Sequence, residues 1–370
     1  MAGMAPGGGA GGRCRGRGGG LRRRVRAPGR APAAAGGVRA DMRILRRVAP
    51  LSAAGAAVAV GNFDGMHLGH QALLQRLRRS ASSQGLLSAV MLFEPQPREW
   101  FDPAGAPPRL MRLRDKLEYL RSVPVDCAIC LRFDARLAGV SAERFVTEFL
   151  VAGLGARRLV FGADFRFGSG RRGDRALLES LQRQCGYRAA PVEHLELDGE
   201  RVSSSRIRAA LRGGDLAGVR RLLGREFGVC GRVSPGAGRG RQLGVPTANI
   251  VLRRQPPMPA GVFVSRLRLA AGPQEERGVW RDSVSYVGTR PSFGGGPAFL
   301  ETHVLDFDGE LYRRRVEVLL LARLRGDQPF ASTGTLVRRM RGDIRRAREY
   351  HHDQRRRLRQ GIRPGRASLP

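Results

Sequence analysis

Between residue 56 and residue 162 the chain alternates apolar β-type runs with helical ones, and this alternation constrains the fold more than any other feature. The runs read AAVAVGNF, HQALLQRLRRSA, LLSAVMLFEP, LRDKLEYLRS, DCAICLRF, AERFVTEFLVAGL and ARRLVFG. Strand, helix and strand in short succession specify a parallel sheet, because parallel neighbours need a crossover connection. The expected first domain is therefore α/β and doubly wound. It closes with SRIRAALRGGDLAGVRRLLG, read as two short helices separated by a Gly-Gly-Asp break.

After Gly224 the texture changes to short β-type runs separated by glycine and proline: FGVCGRV, TANIVLR, GVFVSRLRLA, RDSVSYVG, FLETHVLDF and RRVEVLLLARLR. Strands at this spacing without intervening helices predict a small antiparallel barrel. The segment TGTLVRRMRGDIRRAREYHH has helical spacing, with Leu336, Met340 and Ile344 on the face expected to pack on that barrel. Residues 1–41 are almost wholly Gly, Ala, Arg and Pro, too poor in apolar area to offset the entropy of ordering, and are expected to be disordered. Translation is expected to start at Met42, where MRILRRV begins an ordinary sequence. The expected organisation is an extension over 1–41, an α/β domain over 42–225, a barrel domain over 226–352 and a basic tail over 353–370.

A net charge of +34 would ordinarily make nucleic acid the first partner to consider. Here the 66 basic residues include a single lysine, Lys116, and the arginines are spread along the chain without the interleaved aromatics of a base-stacking surface. Arginine, alanine and glycine are the products of GC-rich codons. Nonspecific adhesion at low salt is expected, and specific nucleic-acid binding is not. No apolar run approaches the roughly 18 residues of a membrane span. Five cysteines, Cys14, Cys127, Cys130, Cys185 and Cys230, build no disulfide framework, which fits a reducing cytoplasm. Cys127 and Cys130 form a CxxC inside the apolar run VDCAICLRF, where burial is favoured over a zinc site.

The first chemical signal is GNFDGMHLGH, residues 61–70, where the first strand of the alternation ends and a helix begins. A doubly wound sheet presents its ligand site at such a place. Gly61, Gly65 and Gly69 let backbone approach a phosphate, and the helix N-terminus offers free N–H groups to an anion. His67 and His70, three apart, reach the same side of a first helical turn and can donate to charge developing on a phosphate. A metal reading of the pair lacks a nearby third ligand.

The HxGH signature resembles the adenylyl- and cytidylyltransferase superfamily. The wider pattern is similar to the bifunctional riboflavin kinase/FMN adenylyltransferases of bacteria, through LFEPQPREWF, RLMRLRDKLEYL, FGADFRFGSGRRGD and RVSSSRIRAAL in this order. The resemblance covers nearly the whole chain from Met42 and implies ATP, riboflavin and FMN as substrates, FAD as final product, and a need for Mg²⁺. It implies that His67 and His70 hold the α- and β-phosphates of ATP, that Asp64, Asp164 and Arg171 line a pocket shared with FMN, and that Arg201, Ser204, Ser205 and Arg208 contact the triphosphate.

The second signal is GRGRQLGVPTANI, residues 238–250, where Thr247 and Asn249 stand two apart on an extended segment and present oxygens to one face. Taken alone it is a turn before a strand. By the resemblance, PTAN is the flavokinase signature, Thr247 and Asn249 are Mg²⁺ and phosphate ligands, and the adjoining loop with Gly240 and Gly244 covers the nucleotide phosphates. The resemblance also implies Glu301, in LETHVLDFDGELY, as general base, and Arg325, Phe330 and Ser332 at the flavin end. The chain departs from the family pattern at Tyr286, where asparagine is usual, at Arg313, where glycine usually follows LY, and at Asp327, which replaces glutamate. These departures keep open a competing expectation, an adenylyltransferase whose second domain binds flavin but phosphorylates it weakly or not at all.

Overall fold

The computed structural model describes residues 42–236, 238–252, 257–270, 278–289 and 298–360. The expected disordered extension, Cys14 and the last ten residues of the basic tail lie outside the described residues.

The first half is a six-stranded sheet built from β1 (Arg43–Leu45), β2 (Ala56–Val60), β3 (Leu87–Glu94), β4 (Cys127–Arg132), β5 (Ala156–Gly162) and β6 (Arg188–Val192), in the order β1-β4-β3-β2-β5-β6. Every neighbouring pair is parallel. The crossovers carry α1 (Leu68–Ser82), the short α2 (Pro97–Phe101), α3 (Leu113–Ser122), the single turn α4 (Ala135–Ala138), α5 (Ala142–Arg144), which runs on as a π-helix to Gly153, and α6 (Arg175–Cys185). All five residues of β2 are buried because both faces of the sheet are covered. Ala56, Val58 and Val60 enter one core while Ala57 and Ala59 enter the other. Cys127 and Cys130 are likewise buried in opposite cores, so they form no common site. Burial pushes the Cys127 thiol up to about 11, which keeps it protonated.

A two-stranded ribbon, β7 (Glu196–Leu197) and β8 (Glu200–Arg201), leads into α7 (Ser204–Arg212) and α8 (Leu216–Leu223). These are the two helices read from the Gly-Gly-Asp break, and Gly224 in the left-handed conformation ends the second. Leu216, Val219, Leu222 and Leu223 of α8 share one apolar core with Phe227, Val316, Val318 and Leu320 of the barrel.

The second half is a closed, antiparallel six-stranded barrel: β9 (Phe227–Ser234), β10 (Ala248–Val251), β11 (Gly261–Leu269), β12 (Arg281–Thr289), β13 (Ala298–Val304) and β14 (Arg315–Gly326), in the order β10-β13-β12-β11-β14-β9. Closure leaves no sheet edge exposed. A short helix, α9 (Arg239–Gln242), forms where a flexible loop was expected. The C-terminal α10 (Thr333–Arg359) extends seven residues past the expected helical segment into the region read as tail. Its fully buried stripe is Asp343, Ala347 and His351, while Leu336, Met340 and Ile344 are half-buried on its flank. The apolar spacing found the edge of this stripe and missed its polar centre. Asp343 accepts from Arg325 Nε of β14 at 2.9 Å, and the His351 ring lies 3.1 Å from Asp282 of β12.

Candidate active sites

Strand order reverses around β2, which leads to β3 on one side and lies beside β5 on the other. The carboxyl ends of β2 and β5 therefore open a crevice, and a cavity of about 370 Å³ occupies it. Two helix N-termini converge there: α1, capped by His67, and α7, capped by Ser203. Their free amides and dipoles favour an anion between them. Gly61, Asp64, His67, Gly69, His70, Asp164, Arg201, Ser204, Ser205 and Arg208 all line this cavity. Gly65 lies outside its lining, and Arg171 is exposed on a 3₁₀ turn away from it.

The two imidazoles stack, with ring centroids 3.7 Å apart and planes 20° from parallel. His67 Nδ1 accepts the His70 amide at 3.3 Å, so the neutral ring carries its proton on Nε2, a ready donor. Burial pushes His67 down to about 4, and the nearby Arg201, Arg225 and Arg208 push in the same direction. Burial, His67 and Lys116 hold His70 well below the usual imidazole range. Both rings are thus neutral at pH 7, which permits the stack.

The depression of His67 has a stability consequence. From about pH 6.5 down to about 4 the unfolded chain binds more protons than the folded one, so stability falls as pH drops through that window. At pH 5 the loss relative to pH 7.5 from this ring is on the order of 2 kcal/mol. Denaturant unfolding of His67→Gln should show a correspondingly smaller loss than the unsubstituted protein. Equal losses would contradict a buried neutral His67.

Several residues expected to touch substrate also hold the site together. The buried Asp64 carboxylate accepts the amides of Leu110 and Met111 at 3.0–3.1 Å and pairs with Arg208 at 2.5 Å. Arg208 Nε donates to Pro108 O, and Ser204 Oγ donates to Asp64 O at 2.8 Å. These contacts lock α7 to the loop over residues 61–67, with both Asp64 carboxylate oxygens already hydrogen-bonded. Arg201 pairs with Asp164 at 2.7 Å on the opposite rim, where both are exposed enough to exchange partners with a ligand. Asn62, Gln96 and Arg98, which no motif singled out, also line the cavity. Gln96 caps α2 with Glu99 reaching back to it, a capping box that seats Arg98 at the rim. The quoted PQPREW segment carried that signal.

In the barrel, register places Asn249 of β10 opposite Glu301 of β13, and Glu301 opposite Tyr286 of β12. Directly opposed residues share a face, so Asn249, Glu301 and Tyr286 form a row across three strands. Ile250, Leu300 and Thr302, next to them in sequence, are fully buried inside the barrel. The glycine loop folds onto the signature itself. A Cβ on Gly236 would fall 2.2 Å from Asn249 Nδ2, and one on Gly240 would fall 3.0 Å from Thr247 Oγ1. Thr247 and Arg241 line a cavity of about 180 Å³ together with residues 307–312. Gly244 adopts a positive φ of 73° just past α9 and has no close neighbour, so it serves the turn.

At the expected flavin end, Arg325 ties β14 to α10 through Asp343 and lies 5.6 Å from the Phe330 ring centre. Ser332 is the N-cap of α10, accepting the Thr335 amide at 3.3 Å. Two of the three departures lie close enough to influence each other: burial, followed by the nearby Asp327 carboxylate, raises the Tyr286 phenol to about 12. The third sits at a strained backbone position. Arg313 has φ 62°, the left-handed region that glycine occupies freely, at a cost of about 1–2 kcal/mol for a side chain.

A doubly wound domain whose paired histidines sit at a helix N-terminus beside a glycine-bearing loop, joined to a closed barrel with a glycine loop folded on Thr247 and Asn249, defines a two-domain nucleotidylyltransferase–kinase. A family model described as FAD synthetase matches residues 50–206, and one described as riboflavin kinase matches residues 223–351. A bifunctional riboflavin kinase/FMN adenylyltransferase of Escherichia coli K12 is 41% identical over 84% of this chain and 98% of its own length. One from Pseudomonas fluorescens is 42% identical over 80% of this chain and 92% of its own. The chain belongs to the bifunctional riboflavin kinase/FMN adenylyltransferase family. Among solved structures, one titled as a macrolide-efflux protein from Streptococcus pneumoniae superposes with TM-score 0.69 at 27% identity, covering 83% of this chain and 99% of that one. No helix among the described residues is long and apolar enough to cross a membrane.

Proposed function

We propose that the two steps of FAD synthesis are divided between these two sites, adenylyl transfer in the cavity over β2 and riboflavin phosphorylation beside Glu301. The observation that carries the first assignment is the convergence of two helix N-termini and two neutral, stacked imidazoles on one cavity. An FMN phosphate oxygen attacks the α-phosphorus of ATP in line, the bond to the β-phosphate oxygen breaks, and pyrophosphate leaves. No covalent intermediate is required, because the nucleophile is already ionised; positioning and charge stabilisation supply the rate. His67 and His70 donate N–H groups to the developing charge, with Ser205, Arg201 and the first-turn amides of α1 and α7 around it. Asp64, Ser204 and Arg208 act indirectly, by holding α7 against the loop.

For the kinase step, Glu301 takes the proton of the ribityl 5′-hydroxyl as that oxygen receives the γ-phosphoryl group of ATP, releasing ADP. Thr247 and Asn249 would hold Mg²⁺. A hydroxyl and an amide oxygen suit a hard cation that keeps waters and shares substrate phosphates, and among the described residues no cluster of His, Cys, Asp and Glu offers a metal a protein cage. When bound, the cation neutralises charge on the transferring and leaving phosphates. The domains are proposed to divide near residue 225, with α8 packing on the barrel, and the described free cysteines suit a reducing cytoplasm. Chelation by EDTA should stop both FMN and FAD formation, and excess Mg²⁺ should restore both. Persistence of either product in EDTA would remove the metal from that step.

A further inference from the structure

The phosphate loop is strained and held from behind. Phe63 and Met66 have φ of 48° and 45°, and Gly65 between them has 85°. Left-handed non-glycine residues persist only where their surroundings over-determine them. Here five consecutive carbonyls each receive a donor. Asn62 O accepts Lys116 Nζ at 2.7 Å, Phe63 O the Met66 amide at 3.4 Å, and Asp64 O Ser204 Oγ at 2.8 Å. Gly65 O accepts Arg225 Nη2 at 2.9 Å, and Met66 O accepts Gln71 Nε2 at 3.0 Å. Lys116, Arg225 and Gln71 do not line the nucleotide cavity, so three of these carbonyls are held from outside it. Because each peptide unit is planar, fixing its carbonyl also fixes the following amide.

Lys116 stands out among these donors. It is the only lysine in a chain with 66 basic residues, and it is buried, with 3% of its surface exposed. A guanidinium is broader and brings five donors in a rigid fork, whereas an ammonium is a compact charge with three. Where arginine serves everywhere else, a lone buried lysine points to a site that suits a compact cation. We infer that Lys116 is a positioning residue of adenylyl transfer, fixing the Asn62 carbonyl and placing one positive charge behind the phosphate loop. The inference rests on the assignment of adenylyl transfer to this cavity.

The charge is balanced by its neighbours. Burial pushes Lys116 down to about 8, the Asp64, Glu94 and Glu99 carboxylates pull it back up, and Arg109 pushes it further down. His70 in turn feels the Lys116 cation, which helps to keep its ring neutral. The ammonium is therefore lost as pH rises through about 8, and kcat/KM for FAD formation, which reports groups of the free enzyme, should fall on that alkaline limb.

The test measures FAD formation from FMN and ATP, and FMN formation from riboflavin and ATP, in the full chain between about pH 7 and 9.5. Lys116→Gln should lower kcat/KM for FAD formation by about 100-fold and flatten the alkaline limb, with FMN formation kept. Lys116→Arg should fail to restore the rate even though its charge persists at every pH tested. Wild-type rates in Lys116→Gln, an unchanged alkaline limb, full rescue by arginine, or equal loss of both activities would each overturn the inference. If His70→Ala also left FAD formation intact, the assignment of the cavity itself would fail; if it abolished FAD formation while Lys116→Gln did not, only the role of Lys116 would fall.

Discussion

Replacing His70 by alanine is expected to lower FAD formation from FMN by about 10²- to 10³-fold while riboflavin phosphorylation stays within about twofold. The size follows from what the ring supplies. His70 is neutral and stacked on His67 at 3.7 Å, so its N–H is a fixed donor with no proton to gain or lose before use. A preorganised donor is worth most where charge appears only in the transition state, and the loss should therefore fall mainly on kcat. Its Nδ1 is buried and has no hydrogen-bond partner among the described residues. His70→Asn, which keeps a neutral donor on a shorter side chain, should recover part of the loss. A His70→Ala protein with undiminished FAD formation would refute the phosphate role.

Replacing Glu301 by alanine is expected to do the reverse, lowering FMN formation by about 10²- to 10⁴-fold and leaving adenylylation of supplied FMN in place. Glu301 lies half-buried in the central strand of the row Asn249, Glu301, Tyr286, beside the face on which the glycine loop meets Thr247 and Asn249. Glu301→Gln preserves shape and removes the base, so it should be nearly as defective as alanine. Retention of kinase activity in Glu301→Gln would show that the carboxylate does not accept the proton. Tyr286 and Asp327, two positions that depart from the family pattern, lie near each other beside this row, where the Asp327 carboxylate helps to raise the Tyr286 phenol.

The parts of this account legible in the sequence are those that local pattern dictates. The β2-to-α1 junction packs a strand end, three glycines and a helix start into ten residues, so its chemistry could be read without tertiary information. The barrel strands carried alternation, as in the buried and half-buried residues of β14. β1 escaped notice because three residues carry no period, and β6 because its RAAPV has a proline and small residues; both lie at the edges of the sheet. The division between residues that touch substrate and residues that brace the site was not legible. Asp64 meets Arg208 across 144 positions, and Arg225 meets Gly65 across 160. Nothing near Asp64 in sequence announces that its oxygens are already occupied. Arg313 is the opposite case: the sequence flagged a missing glycine, and its left-handed backbone gives the reason.

The central claim is that two separate sites on one chain act in sequence, and mixing the two defective variants tests it most directly. With riboflavin and ATP, His70→Ala alone should accumulate FMN, Glu301→Ala alone should make neither product, and an equimolar mixture should make FAD through FMN released by the first and captured by the second. Formation of FAD by His70→Ala alone, or of FMN by Glu301→Ala alone, at rates near those of the unsubstituted protein would contradict the assignment of the two steps to these two sites.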